Sequence, residues 1–178
     1  MTKATIKKYD RLEKLKNLLA ENPYMNDKQL AATLEVSVPC IRNYRNELGI
    51  KEVRERIKNR VKSLAPEEIV GTITNLQLNK SGYGEFTATH EMVFKKTNIV
   101  RGQYIYSFAE SVAMSIIDAE AALVGVANIK YKEPVYANET LQARAKVTQI
   151  RMDNYFVWVF VYREDKEIFR SKFILVAI

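Results

Sequence analysis

Residues 98–111, NIVRGQYIYSFAES, hold the side chains most able to do chemistry. Arg101 and Gly102 stand at the start of a helix-forming run. A guanidinium at a helix entrance suggests a site for an anionic group. Glu110 follows eight residues after Gly102, about two turns further along such a helix. A carboxylate at that depth suggests catalysis. Two readings are open: an enzyme's active site, or a sensor's pocket with the same architecture.

These residues need elements to position them. The segment 101–118, RGQYIYSFAESVAMSIID, reads as one long helix. Tyr104, Phe108, Ser111 or Val112, and Ser115 follow helical spacing, and Ala109, Ala113, Met114 and Ile117 make most other sides apolar too. Such a helix is buried on nearly every side. Before it, from residue 67, β-type residues dominate, and Gly82 and Gly84 are expected to mark a turn. After it come four strand-like stretches: ALVGVANIKYKEPV, ETLQARAKVTQIRM, YFVWVFVYRED and KEIFRSKFILVAI. The order β-β-α-β-β-β-β predicts an α+β arrangement in which an antiparallel sheet wraps one helix, a hot-dog fold. In YFVWVFVY, residues 155–162, neither strand face is polar. One face is expected on the central helix, the other under the preceding connector or a second subunit.

Charge separates the chain into parts. Residues 1–64 carry 15 Lys/Arg against 8 Asp/Glu, and residues 65–178 carry 13 of each, so the whole net charge of +7 lies in the first third. That bias suits a phosphate-rich partner. Leu12, Leu15, Leu18 and Leu19 give the first predicted helix an apolar face, and Asn22-Pro23 ends it. A second helix starts with Asn26 or Asp27 as cap and turns Leu30, Ala31 and Leu34 inward. A third starts at Ser37, with Pro39 in its first turn, Ile41, Tyr44 and Leu48 inward and Gly49 at its end. This spacing predicts a helix-turn-helix (winged-helix-like) unit whose last helix offers Arg42, Asn43, Arg45 and Asn46 to DNA, with Ser37 at its capped end. Cys40, the sole cysteine, reads as a small filler between the two faces rather than a redox sensor.

Val53, Ile57, Val61 and Leu64 form a narrow apolar stripe in an otherwise charged connector. The expected division is 1–50 DNA-binding, 51–65 an amphipathic linker helix and 66–178 a ligand-binding domain. No apolar run approaches the roughly 20 residues of a membrane span, and the N-terminus lacks a signal peptide's apolar core. A cytoplasmic protein without cofactor or metal is the simplest expectation.

Two stretches together, LEVSVPCIRNYRNELGIKEVRERIK and VFKKTNIVRGQYIYSFAESVA, resemble the FapR family, repressors of fatty acid and phospholipid synthesis in Gram-positive bacteria. The similarity runs over about residues 10–176, and ELGIKEVRERIK and IVRG are its most specific parts. It implies a homodimer in which a helix-turn-helix is joined through an amphipathic helix to a hot-dog effector domain. Malonyl-CoA, or malonyl-carrier protein, would bind there and release the operator. Phe94, Arg101 and Gly102 match the family's effector-pocket positions. A guanidinium suits a malonyl carboxylate, and glycine admits a thioester closely.

One position departs from the family. Its central helix usually has an asparagine where this chain has Glu110. Hot-dog thioesterases carry a catalytic carboxylate at the corresponding place, after an HGG-like entrance in one branch, whereas this chain reads RGQ. The rival expectation is thus an acyl-CoA thioesterase fused to a DNA-binding module, with Glu110 catalytic and His90 a conceivable helper base. A purely structural DNA-binding dimer would leave the Arg-Gly entrance without purpose.

Overall fold

The computed structural model describes residues 3–58 and 61–178, and the side chains of residues 3–7, 54, 57 and 58 lie outside that description. The chain divides into two compact units, residues 1–59 and 60–178.

The first unit is helical: α1 (Lys3–Glu21), α2 (Asp27–Thr33), α3 (Val38–Glu47) and the short α4 (Val53–Lys58). Helix α2 starts where Asn26 and Gln29 cap each other, side chain to backbone in both directions. Ser37 Oγ accepts from the Cys40 amide at 3.4 Å and caps α3. Leu12, Leu15, Leu19, Leu30, Ile41 and Tyr44 close a common core. Gly49, at φ +65°, lets the chain leave α3 in the left-handed conformation.

Arg45 corrects the sequence reading. It is only 3 % exposed and does not share the outward side of Arg42, Asn43 and Asn46. Its Nε and Nη2 donate to the two carboxylate oxygens of Asp27 at 2.8 and 2.9 Å, and Nη1 donates to the Ile50 carbonyl at 3.2 Å. The position borders the apolar face, and the carboxylate that draws it inward comes from another helix. Arg56 does a related job for α4, donating to the Pro23 and Met25 carbonyls at 2.7 and 3.0 Å.

The predicted connector helix over 51–65 is also corrected. Helix α4 is described only as Val53–Lys58, and residues 59 and 60, with the Ile57 side chain, fall outside the described residues. Residues 61–65 are not helical, because Pro66 holds Ala65 extended at ψ 150°. Val61 is buried in the second unit, and Ser63 Oγ donates to the Met114 carbonyl at 2.8 Å.

The second unit is one six-stranded sheet with a single long helix. Its strands are β1 (Thr72–Gln77), β2 (Ser81–Thr87), β3 (Ala122–Tyr131), β4 (Thr140–Arg151), β5 (Asn154–Arg163) and β6 (Lys166–Ala177). They pair antiparallel in the order β1-β2-β4-β5-β6-β3, and α5 (Gly102–Ser115) packs on one face. The predicted element order and α+β class hold for this unit. Phe108, Ile116 and Ile117 of the helix segment meet Leu141, Val157, Val159, Val161, Phe169 and Phe173 in a core closed to solvent. Gly82 and Gly84 do not mark a turn. They lie within β2, where a Cβ would strike Ile116 at one and Val112 and Phe108 at the other, so their bareness lets the helix approach the sheet.

Helix α5 stops at Ser115, three residues short of the predicted end. There the Asn79 amide in the β1–β2 turn donates to the Ile116 carbonyl at 2.7 Å, and Asn79 Oδ1 accepts from the Asp118 amide at 3.0 Å. Strand β3 is an open edge with Leu123, Val126, Ile129 and Tyr131 exposed. On β5, Val157, Val159 and Val161 point to α5, and the opposite face is partly covered by the unit's own cations. Lys172 lies over Trp158, Arg144 over Tyr162 and Arg151 over Phe156. Among the described residues no helix is long and apolar enough to cross a membrane.

Candidate functional site

A tight hairpin leads into α5. Val93 bridges Val100, the Phe94 amide donates to the Ile99 carbonyl at 2.8 Å, and Asn98, at φ +56°, makes the turn. Asparagine tolerates that conformation better than most residues. The hairpin leaves Phe94 55 % exposed. It is tied to the chain after β3 by the Ile99–Tyr136 bridge and by the Val100 amide, which donates to the Val135 carbonyl at 2.7 Å.

Arg101 follows as the N-cap of α5, but its side chain does not cap the helix. Nη2 donates to the Glu91 carbonyl at 2.7 Å and to the Tyr104 hydroxyl at 3.1 Å, and Nε reaches the Met92 carbonyl at 3.4 Å. The guanidinium is therefore fixed in place. Its Nη1 has no hydrogen bond among the described residues.

Gly102 lines a cavity of about 350 Å³, with Ile99, Val100 and Ile105 on one side and residues 131–135 on the other. The Tyr131 hydroxyl donates to the Gly102 carbonyl at 2.9 Å. A methyl group on Gly102 would come within 2.9 Å of that same hydroxyl. Gly102→Ala is thus expected to displace the Tyr131 ring into the cavity, removing a hydrogen bond worth about 0.5–1.5 kcal/mol. Tyr131→Phe loses the bond but keeps the space. Thermal unfolding should rank the two variants alike, whereas ligand binding should suffer much more in Gly102→Ala.

Of the four residues expected at the pocket, only Gly102 lines this cavity, with Arg101 next to it in sequence. Phe94 sits out on the hairpin. Glu110 is two turns further along α5, about 12 Å by helix rise. The walls from 131 to 135 escaped the sequence reading, because a tyrosine and a Lys-Glu-Pro run after a strand are unremarkable in a sequence.

Glu110 shares the partly exposed stripe of α5 with Gln103, Tyr106 and Ser107. Burial pushes its carboxyl above the ordinary carboxylate range, and a hydrogen bond with Tyr106 pulls part-way back. Tyr106 is raised as well, by burial first and then by the charge of Glu110. Because the folded carboxyl holds its proton to higher pH than the unfolded one, the folded state binds more protons between the two values. Stability is therefore expected to fall as pH rises through that interval and to stay lower above it. Glu110→Gln should remove the fall and unfold later at neutral pH. Urea titrations from mildly acidic to neutral pH would check this, and parallel curves for the two proteins would refute it. His90, on a different element, pairs through Nε2 with Asn138 Nδ2 at 3.1 Å.

In the helical unit, α3 exposes Arg42, Asn43 and Asn46, with Ser37 at its capped end and Cys40 half-buried. Arg42 Nε lies 3.7 Å from Asp27 Oδ2, yet its side chain is mostly free to reach outward.

No protein-family model matches the chain. Among solved structures, a sigma28-regulated virulence protein of Campylobacter jejuni is similar with a TM-score of 0.65, at 19 % identity over 70 % of this chain and 89 % of that one. An uncharacterized protein of Pyrococcus horikoshii gives 0.59 at 24 % identity, over 62 % and 84 %. A candidate thioesterase related to phenylacetic acid degradation, from Ralstonia eutropha, gives 0.54 at 18 % identity, over 60 % and 84 %. These likenesses show the fold of the strand unit, which is hot-dog-like.

Curated relatives are more specific. Transcription factor FapR of a Thermoanaerobacter species is 52 % identical over 96 % of this chain and 89 % of its own length. The FapR of Caldanaerobacter subterraneus is 51 % identical over 97 % and 90 %, and that of Halalkalibacterium halodurans 37 % over 95 % of both. The chain belongs to the FapR family of transcription factors.

Proposed function

We propose that this chain is a DNA-binding repressor of fatty acid and phospholipid synthesis genes, released from its operator by malonyl-CoA or a related acyl thioester. The observation that carries the proposal is Gly102 in the wall of the cavity, beside a guanidinium with one free edge. The cavity takes the acyl group and the start of its thioester arm. Arg101 Nη1 meets the malonyl carboxylate, the first amides of α5 meet the thioester oxygen, and Phe94 on the hairpin covers the arm.

Helices α2 and α3 act as the helix-turn-helix, with Arg42, Asn43 and Asn46 toward the major groove and Ser37 setting the start of α3. Arg45 serves by holding α3 to α2. The open apolar edge of β3 suits pairing with a second copy, which makes a homodimer the working form. Residues 51–65 carry the ligand state from one unit to the other. No cofactor or metal enters this mechanism.

Operator binding titrated with a panel of acyl-CoAs tests the proposal: malonyl-CoA is expected to release the DNA, and a panel with no effect would sink it. The raised carboxyl of Glu110 favours the thioesterase reading as a second candidate. A thiol-release assay comparing wild type with Glu110→Gln decides that question. Turnover at the level of buffer alone would exclude an enzyme.

A further inference from the structure

The sheet face turned away from α5 carries its cations in rows. Arg144, Phe160 and Arg170 stand in register across β4, β5 and β6, as do Lys146, Trp158 and Lys172. Tyr83 on β2 and Lys130 on β3 extend the first row. Each row therefore places an aromatic ring between two cations. All four flanking cations are exposed, Trp158 is 38 % exposed, and Lys172 Nζ lies 4.3 Å from its ring centroid.

Neither row contains a carboxylate. The next row, Glu85–Gln142–Tyr162–Glu167, is acidic at both ends and bounds the patch, and Glu167 is paired with Lys132. Several other cations of the unit are paired with carboxylates: Lys62 with Asp118, Arg163 with Glu139 and Lys166 with Glu133. Residues 65–178 hold equal numbers of acidic and basic side chains, 13 of each, so the patch is a local segregation of charge.

Flat rings set between cations fit one kind of partner best. Unpaired bases stack on aromatic faces while their phosphates lie on lysine and arginine. A duplex keeps its base faces hidden and would use the cations alone. An acidic protein would leave the central rings without a role. We propose that this face binds single-stranded nucleic acid, as a second nucleic-acid surface separate from α3.

Trp158 is the chain's only tryptophan, so its emission reports this face and nothing else. The full chain would be titrated at low salt with an oligothymidylate of about 12 nucleotides, within the usual range of site sizes. Saturable quenching is expected, together with a rise in the anisotropy of the labelled oligonucleotide. Lys146→Ala with Lys172→Ala should weaken binding at least about tenfold and reduce the salt slope by roughly 1.4, about 0.7 per lost single-strand contact. Both lysines are exposed, so the unfolding midpoint should not move, and arginine at both positions should restore binding. Arg42→Ala in α3 should leave the quenching intact. Absence of quenching by the wild-type chain overturns the proposal. So does equal quenching by polyglutamate, which marks an acidic-protein surface, or by a duplex of the same length, which marks phosphate binding alone. Emission that instead follows protein concentration assigns the face to a second copy, and this too overturns it.

Discussion

Arg45→Ala is expected to destabilise the helical unit by roughly 3–5 kcal/mol, because it leaves the partly buried Asp27 only the longer contact to Arg42 Nε at 3.7 Å. The loss comes from a two-pronged ion pair and a third bond to the Ile50 carbonyl, all from one nearly inaccessible side chain. Operator binding should disappear with the fold of α2 and α3, not through a missing phosphate contact. Trp158 lies in the other unit, so far-UV circular dichroism during urea unfolding is the suitable probe. Arg42→Ala is the control: its side chain is mostly exposed, so stability should stay within about 0.5 kcal/mol. Its operator affinity should fall, with the salt slope smaller by about 1. Asp27→Asn should weaken the unit much as Arg45→Ala does. An Arg45→Ala protein as stable as wild type would refute the structural role.

Under the proposed function, Arg101→Ala should need far more thioester to leave its operator. The guanidinium holds the turn before the hairpin through the Glu91 and Met92 carbonyls and leaves Nη1 without a hydrogen bond among the described residues. A hydrogen bond to a charged partner contributes about 1.5–3 kcal/mol, so the thioester concentration for half-release should rise roughly 10- to 150-fold. Arg101→Lys keeps the charge without the fork and should fall between the two proteins. Fluorescence anisotropy of labelled operator, read against malonyl-CoA concentration, gives the curves directly. Superimposable release curves for wild type and Arg101→Ala would remove this residue from the pocket.

Local signals were legible in the sequence wherever one residue and its near neighbours decide the outcome. Asn26, Ser37 with Pro39, and Gly49 mark helix ends through their own bonding and backbone preferences, and they stand where expected. The succession of strands and helix along the second unit followed from runs of β-branched and aromatic residues, whereas their order in the sheet did not. What failed depends on residues distant in sequence. Arg45 looked outward by spacing, but Asp27, 18 positions earlier, pulls it in. Gly82 and Gly84 looked like turn residues until α5 was seen to cross them. The end of α5 is set by Asn79, and residues 61–65, expected in the connector helix, are not helical. The entrance at Arg101 and Gly102 was visible as a motif, whereas the opposite wall of the cavity is assembled by topology and carries no local mark.

The contact between Asn79 and the end of α5 bears on how the unit comes apart. It joins residues 39 positions apart, and β2 finds its second neighbour, β4, only across a separation of 53, as between Thr87 and Thr140. A two-stranded hairpin by itself is marginal in water. Here its bare glycine face lies against Phe108, Val112 and Ile116 of the helix segment that follows. Strands β1 and β2 and helix α5 therefore form one cooperative unit, and their slowest amides should exchange with a single shared opening free energy. Separate values for the hairpin and the helix would mean that the glycine seam opens without melting either of them.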